Sequence, residues 1–361
     1  MPLRAIIENK ELISTFLSKE EWITLKDYIK SNNVDVIIFQ TLKKGYLRTS
    51  KLGLQHFAHK KGEQPENWKP ESRQHLLAKS ETLLGCKDAG WEAKSEFSEN
   101  DWIADVIAIK GKIRVAFEIQ WSRQSYERTL ERQSKFKNSN VRGCWFIKKP
   151  PKEICDFENK IIAEKDTPIF RICETEKGEI CIDLYENKIP IRQFVKALLN
   201  QKVKFCTHLI SKENQKIEII FPEIKCWKCK TNQHIYIIQD TLESKCGQPI
   251  ELHDDDWSNT SFKHNPQIHN IVNKFLKTEK GKLIKIGKIK KRYSNTIKSS
   301  YISFGCVKCY SLFGDFYLPN AYTYKIYHEN YLSIYADVEL PKIKEEHPHW
   351  CFSELKDFCE E

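Results

Sequence analysis

Two near-continuous apolar runs, Trp102–Ile109 and Ile113–Gln120, are joined by only three residues, Lys110-Gly111-Lys112. Runs of that length and spacing predict a β-hairpin. Each run nevertheless contains a carboxylate: Asp105 between Ala104 and Val106, and Glu118 between Phe117 and Ile119. Strand alternation puts Glu118 and Gln120 on one face and Val115, Phe117 and Ile119 on the other. With Gly111-Lys112 as a two-residue turn, paired positions sum to 223, which sets Asp105 opposite Glu118. Like charges so opposed repel, and a divalent cation between them reverses the sign.

The flanking text predicts the elements around this hairpin. Pro70 suits a first helical position, Glu71 the first turn, and Leu76, Leu77, Leu83 and Leu84 recur at helical spacing before Gly85, read as the stop. Ser125 caps a second helix reaching Lys137, and Gly143–Lys148 reads as a buried strand closed by Pro150-Pro151. Helix, strand, strand, helix, strand in about 80 residues predicts an α/β core. Residues 1–65 read as a β-rich segment with runs such as Val34–Phe39, 66–150 as the core, and 151–220 as an α+β connector with one helix near Ile191–Leu199. Residues 221–361 are expected to form a zinc-binding, basic, β-rich domain. No internal repeat of fixed period is evident.

Several ordered motifs between residues 45 and 150 resemble the competence protein CoiA family, whose nuclease-like domain is of the restriction-endonuclease, PD-(D/E)XK, type. They are Gly53-Leu54-Gln55-His56-Phe57-Ala58-His59, Glu71-Ser72 with His75-Leu76, and Trp102-Ile103-Ala104-Asp105-Val106. Phe117-Glu118-Ile119-Gln120-Trp121-Ser122, an arginine at 128 or 132, and Arg142-Gly143-Cys144-Trp145-Phe146 follow. Beyond residue 150 the resemblance rests on the late cysteine pair and Phe313-Gly314-Asp315-Phe316-Tyr317. It implies a restriction-endonuclease-like α/β core in which Asp105 and Glu118 bind Mg²⁺ or Mn²⁺, with the Ile119 carbonyl as a further oxygen ligand. Gln120 then stands where many relatives have lysine, and its amide can orient water but cannot act as a base. Glu71 fits either a helix carboxylate serving the metal site or a residue that complements the helix dipole. Family members often carry a Cys-x-x-Cys knuckle ahead of His-Phe-Ala-His. Phe39-Gln40-Thr41-Leu42-Lys43 has none, so His56 and His59 are expected to pack or hydrogen-bond rather than bind zinc.

Two later pairs, Cys226-Trp227-Lys228-Cys229 and Cys306-Val307-Lys308-Cys309, each follow a strand-like run. Together they predict one structural zinc held by Cys226, Cys229, Cys306 and Cys309, although 76 residues separate the pairs. Cys246, His253, His264 and His269 are alternative ligands, and Asp254-Asp255-Asp256 reads as a solvated turn.

Charge points to a polyanion. The chain carries 59 Lys+Arg against 49 Asp+Glu, and residues 101–150 carry 11 against 5. Arg128, Arg132 and Lys135 share a helix face. Between Lys274 and Lys298 there are ten basic residues and one acid, with Lys285, Lys288, Lys290, Lys291 and Arg292 interleaved with isoleucines, as in a two-stranded basic ribbon for a nucleic-acid backbone.

Composition excludes several classes. With 40% hydrophobic and 30% charged residues the chain is neither disordered nor collagenous. No apolar run approaches the ~20 residues of a membrane helix. Glu8, Lys10 and Glu11 interrupt any secretory signal, and thirteen dispersed cysteines suit a reducing compartment, so a cytoplasmic protein is expected. The leading expectation is a metal-dependent DNA nuclease. The other is a non-catalytic DNA-binding accessory protein for competence or recombination that keeps the core as a scaffold.

Overall fold

The computed structural model describes residues 2–51, 53–66, 71–239, 241–252, 265–314 and 331–360. Pro70, His253, His264, Asp254-Asp255-Asp256 and residues 315–317 of the late aromatic motif lie outside them. The chain is mixed α/β and rich in strands, with five α-helices among the described residues. No described helix is long and apolar enough to cross a membrane. Two compact units form, one of residues 1–205 with 348–354, the other of 206–347 with 355–361. The segments read as 1–65 and 66–150, and most of 151–220, thus lie in one unit.

The first unit opens with β1 (Arg4–Ile7), β2 (Lys10–Ile13), α1 (Lys19–Asn32), β3 (Val36–Ile38), β4 (Lys43–Thr49) and β5 (Gln55–His59). The strands form an antiparallel sheet, β2-β1-β3-β4-β5, whose core joins Ala5, Ile7, Val36, Ile38, Leu47 and Phe57 to Trp22 of α1. Helix α1 was not foreseen in a segment read as β-rich. Its start is a capping box, in which the Ser18 hydroxyl accepts from the Glu21 amide and the Glu21 carboxylate accepts from the Ser18 amide.

Next come α2 (Arg73–Asp88), β6 (Glu92–Glu99), β7 (Trp102–Lys110), β8 (Ile113–Gln120), α3 (Tyr126–Asn138), β9 (Arg142–Ile147), β10 (Ile169–Glu174), β11 (Ile180–Leu184), β12 (Asn187–Pro190) and α4 (Ile191–Leu199). The seven strands form one sheet in the order β12-β11-β10-β9-β8-β7-β6, with β9 parallel to both β8 and β10. Helices α2 and α4 cover one face over Val106, Phe117, Ile119 and Phe146, while Phe136 of α3 packs on the other with Ile107, Ala116, Trp145 and Ile147. Gly85 does not stop α2, which runs on to Asp88. A Cβ at Gly85 would lie 2.7 Å from the Arg192 carbonyl and 2.9 Å from Val195 Cβ of α4, so the glycine serves close helix packing.

The hairpin turn is as expected. Lys110 pairs with Ile113 and Val106 with Phe117, but regular pairing ends there, one step short of residues 105 and 118. At the same level the neighbouring strand β6 holds Glu96 at φ 53° between the pairs Ser95–Val106 and Phe97–Ala104. Both strands change face at this point. Val106 and Ala93 belong to the α2 side, whereas Ala104 and Phe97 belong to the α3 side. The kink opens a split between the start of β7 and the end of β8.

In the second unit, β13 (Asn214–Phe221) is followed by β14 (Glu223–Lys225), β15 (Asn232–His234), β16 (Ile237–Ile238), α5 (Pro266–Phe275), β17 (Lys290–Ser294), β18 (Ser299–Gly305), β19 (Leu312–Phe313) and β20 (Leu332–Glu339). The core gathers Ile217, Ile219, Ile237, Ile268, Val272, Phe304 and Phe313 around Cys226 and Cys306. Lys274–Lys298 is not one ribbon. It spans the end of α5, a 3₁₀ turn at Gly281–Leu283 and only the first strand of the β17–β18 hairpin.

Candidate functional site

Asp105 sits in the split. Its Oδ2 accepts from the Ile119 amide at 2.9 Å, taking the place of the strand-to-strand bond that the interrupted ladder lacks, and lies 3.4 Å from His75 Nε2. Ser72 caps α2, accepting from the His75 amide, and the helix then presents His75 and Lys79, one turn apart, to the split. His75 Nδ1 is 3.5 Å from Glu71 Oε1, and donor atoms of Glu71, His75 and Asp105 all lie within 4.8 Å of one another. Lys79, at 0% exposure, places Nζ 2.9 Å from Glu71 Oε1, 2.9 Å from Glu96 Oε1 and 3.8 Å from Asp105 Oδ1.

Glu118 reaches the split from the other face. By alternation it shares the side of Ala116, and Arg132 of α3 meets its Oε2 at 2.6 Å while donating to the Ile103 carbonyl at 3.2 Å. Regular strand pairing therefore does not extend to residues 105 and 118, where β7 changes face. Glu118 is 2% exposed and Glu96 4%, and among the described residues neither Glu118 Oε1 nor Glu96 Oε2 meets a hydrogen-bond partner.

Electrostatics separate the carboxyls. Burial pushes Glu118 well up, and the charge of Asp105 pushes it further against the pull of Arg132. Burial likewise raises Glu96 against the pull of Lys79. Asp105 goes the other way. Although burial opposes it, the His75 hydrogen bond, the Lys79 charge and the Ile119 amide hold its carboxyl down to about 2. Burial works against the Lys79 charge too, and Glu96, Asp105 and Glu71 overcome it, raising the ammonium above its ordinary value.

Other sequence candidates are placed differently. The Ile119 amide is engaged with Asp105, and the Gln120 side chain donates to the Ser122 carbonyl and hydroxyl at 3.3 and 3.1 Å. Arg128 is exposed, but Arg132 is turned inward over Trp145, and Lys135 pairs with Asp101 and Glu131. These three do not form one free basic face. His56 and His59 are buried, His56 against the Leu54 carbonyl and His59 against Thr41. Lys79, Glu96 and His75 were missed as site residues. The spacing of Glu71, His75 and Lys79 at four-residue intervals was the available signal.

In the second unit the four predicted cysteines converge. Sγ atoms of Cys226 and Cys309 lie 3.6 Å apart and those of Cys229 and Cys306 3.5 Å, all four within 4.8 Å. A tetrahedron with bonds of ~2.3 Å has edges of ~3.8 Å, so the quartet could hold zinc. The two knuckles repeat one geometry. The Cys226 amide donates to Thr231 and the Lys230 amide to Cys226; the Cys306 amide donates to Ser311 and the Tyr310 amide to Cys306. Lys230 and Tyr310 each adopt φ 61°. Hydroxyls of Thr231 and Ser311 meet Cys229 and Cys309 at 3.3 and 3.1 Å and pull both thiols down, Cys229 to about 6, whereas burial lifts Cys226 to about 11. Buried Gln233, just past the first knuckle, accepts from the Val307 amide of the second at 2.8 Å. His269 instead faces the Tyr236 ring.

Lys285, Lys288, Lys290 and Lys291 are exposed. Arg292 is not free, since its guanidinium donates to the carbonyls of Lys288, Lys290 and Ser303.

No family model matches the chain, and neither does any curated protein.

Proposed function

We propose that this chain is a Mg²⁺- or Mn²⁺-dependent phosphodiesterase acting on DNA, with a restriction-endonuclease-like core of the CoiA type and a zinc-ribbon-like second unit. The observation that carries the reading is a charge deficit in the split. Among the described residues, Glu71, Glu96, Asp105 and Glu118 meet two fixed cations, Lys79 and Arg132, a formal excess of −2. Burying such an excess is costly unless protons or a cation offset it.

The donors suit the group. Oxygens of Glu71 and Asp105 with the imidazole of His75 would hold a divalent ion, while Glu118, whose Oε1 meets no hydrogen-bond partner among the described residues, lies outside that trio. When bound, such an ion supplies Lewis acidity, lowering the pKa of water and offsetting charge on the phosphoryl group. The Ile119 amide fixes the rotamer of Asp105, so its second oxygen keeps one direction. Arg132 binds one oxygen of Glu118 and leaves the other unspent. The Gln120 amide, held by Ser122, does not replace a lysine charge. Exposed lysines at 285, 288, 290 and 291 suit sequence-independent phosphate contact.

Cleavage of single- and double-stranded DNA with Mg²⁺ or Mn²⁺ is the test. Wild type should cut, and Asp105→Ala and Glu118→Ala should each lose at least 100-fold in rate, about the share of one electrostatic group. Cutting that persists in both variants would sink the reading. DNA binding without cutting by the wild type would favour the accessory role.

A further inference from the structure

The ammonium of Lys79 does more than neutralise one neighbour. It touches carboxylates from three separate places: Glu71 ahead of α2, Glu96 on β6 and Asp105 on β7, at 2.9, 2.9 and 3.8 Å. A surface ion pair needs one partner and solvent, whereas Lys79 has 0% exposure. Glu96, one of the three, keeps an oxygen buried without a partner among the described residues, as does Glu118. The pocket bounded by Glu71, Glu96 and Asp105 has the makings of a cation site, three converging oxygen donors, and a protein ammonium already occupies it.

We propose that Lys79 takes the place of a second divalent cation, so that the split accepts one ion and not two. This inference rests on the metal-dependent reading above. A divalent ion needs carboxylate oxygens at roughly 2.0–2.6 Å, and an ammonium at 2.9 Å from two of them leaves no room for it. The one ion is then expected on the His75 side, where Glu71 Oε1 and Asp105 Oδ2 each face a nitrogen of the imidazole. Glu71 is then shared between Lys79 and the one ion rather than serving as the anchor of a second metal. The lysine that the strand lacks at position 120 is not needed for charge, because α2 supplies one from behind Asp105.

The test uses the full chain with its cysteine centre loaded with zinc, titrated with Mn²⁺ by calorimetry, with circular dichroism to check each variant. Wild type should bind one Mn²⁺ that is lost in Asp105→Ala. Lys79→Met should bind two, and Lys79→Arg, which keeps the charge, should bind one. An unchanged single ion in folded Lys79→Met would overturn the inference and leave the metal reading standing. The absence of any Asp105-dependent ion in the wild type would remove both. Should Lys79→Met fail to fold, electron paramagnetic resonance of manganese-saturated wild type still decides. An isolated-ion spectrum supports one site, and an exchange-coupled pair overturns it.

Discussion

Asp105 is stabilised as an anion by three donors of different kinds: an imidazole, an ammonium and a backbone amide. Its carboxyl is lowered from 3.8 to about 2, so it contributes stability that is complete above pH 4 and is lost as the pH falls towards 2. The contribution is about 2 kcal/mol at neutral pH. Asp105→Asn should therefore lower the unfolding free energy at pH 7 by about that amount, while its stability changes less than wild type's between pH 4 and 2. Urea titrations across this range check it, and parallel curves would show that the carboxylate is not held by these donors. Residue-level reading of the sequence found Asp105 and Glu118 because charge inside an apolar run is conspicuous. It missed Lys79 and Glu96 because each looks like an ordinary surface residue until the β6–β7 kink and the turn of α2 aim them inward.

Helices and strands were legible where one periodicity dominated. The turn at Gly111-Lys112, the cap at Ser125 and the helix Ile191–Leu199 stand where alternation and capping rules put them. Strand β6 was not, because Glu92-Ala93-Lys94-Ser95-Glu96 reads as solvated and its burial comes from α2 and β7. Helix α1 was overlooked although Ser18-x-x-Glu21 announces it. Ser18→Ala should cost about 1 kcal/mol through that capping box, measured by thermal unfolding, and an unchanged midpoint would mean the helix is held by packing alone. Gly85→Ala tests the α2–α4 contact. The added methyl meets backbone and Val195, so a loss of about 1–3 kcal/mol is expected, whereas a gain would mark position 85 as an ordinary helix site.

At the scale of the whole molecule, the first unit carries an oxygen-rich cluster at Glu71, His75 and Asp105 and the second a four-cysteine cluster. The four-cysteine cluster is legible in its spacing, but its two-knuckle symmetry is not, since the shared Cys-x-Lys-Cys-x-Thr/Ser pattern is short and 76 residues intervene. Cys306→Ser should bind one zinc fewer per chain than wild type by elemental analysis, and equal zinc content would refute the centre. Charge reversal to Glu at Lys285, Lys288, Lys290 and Lys291 should weaken DNA binding and flatten its dependence on salt. An unaltered slope would move the contact elsewhere. Anomalous diffraction from manganese-soaked crystals decides whether a divalent ion is held in the split between β7 and β8. A manganese peak is expected against Glu71, His75 and Asp105, absent in Asp105→Ala crystals. A wild-type map with manganese bound elsewhere and none in the split would contradict it.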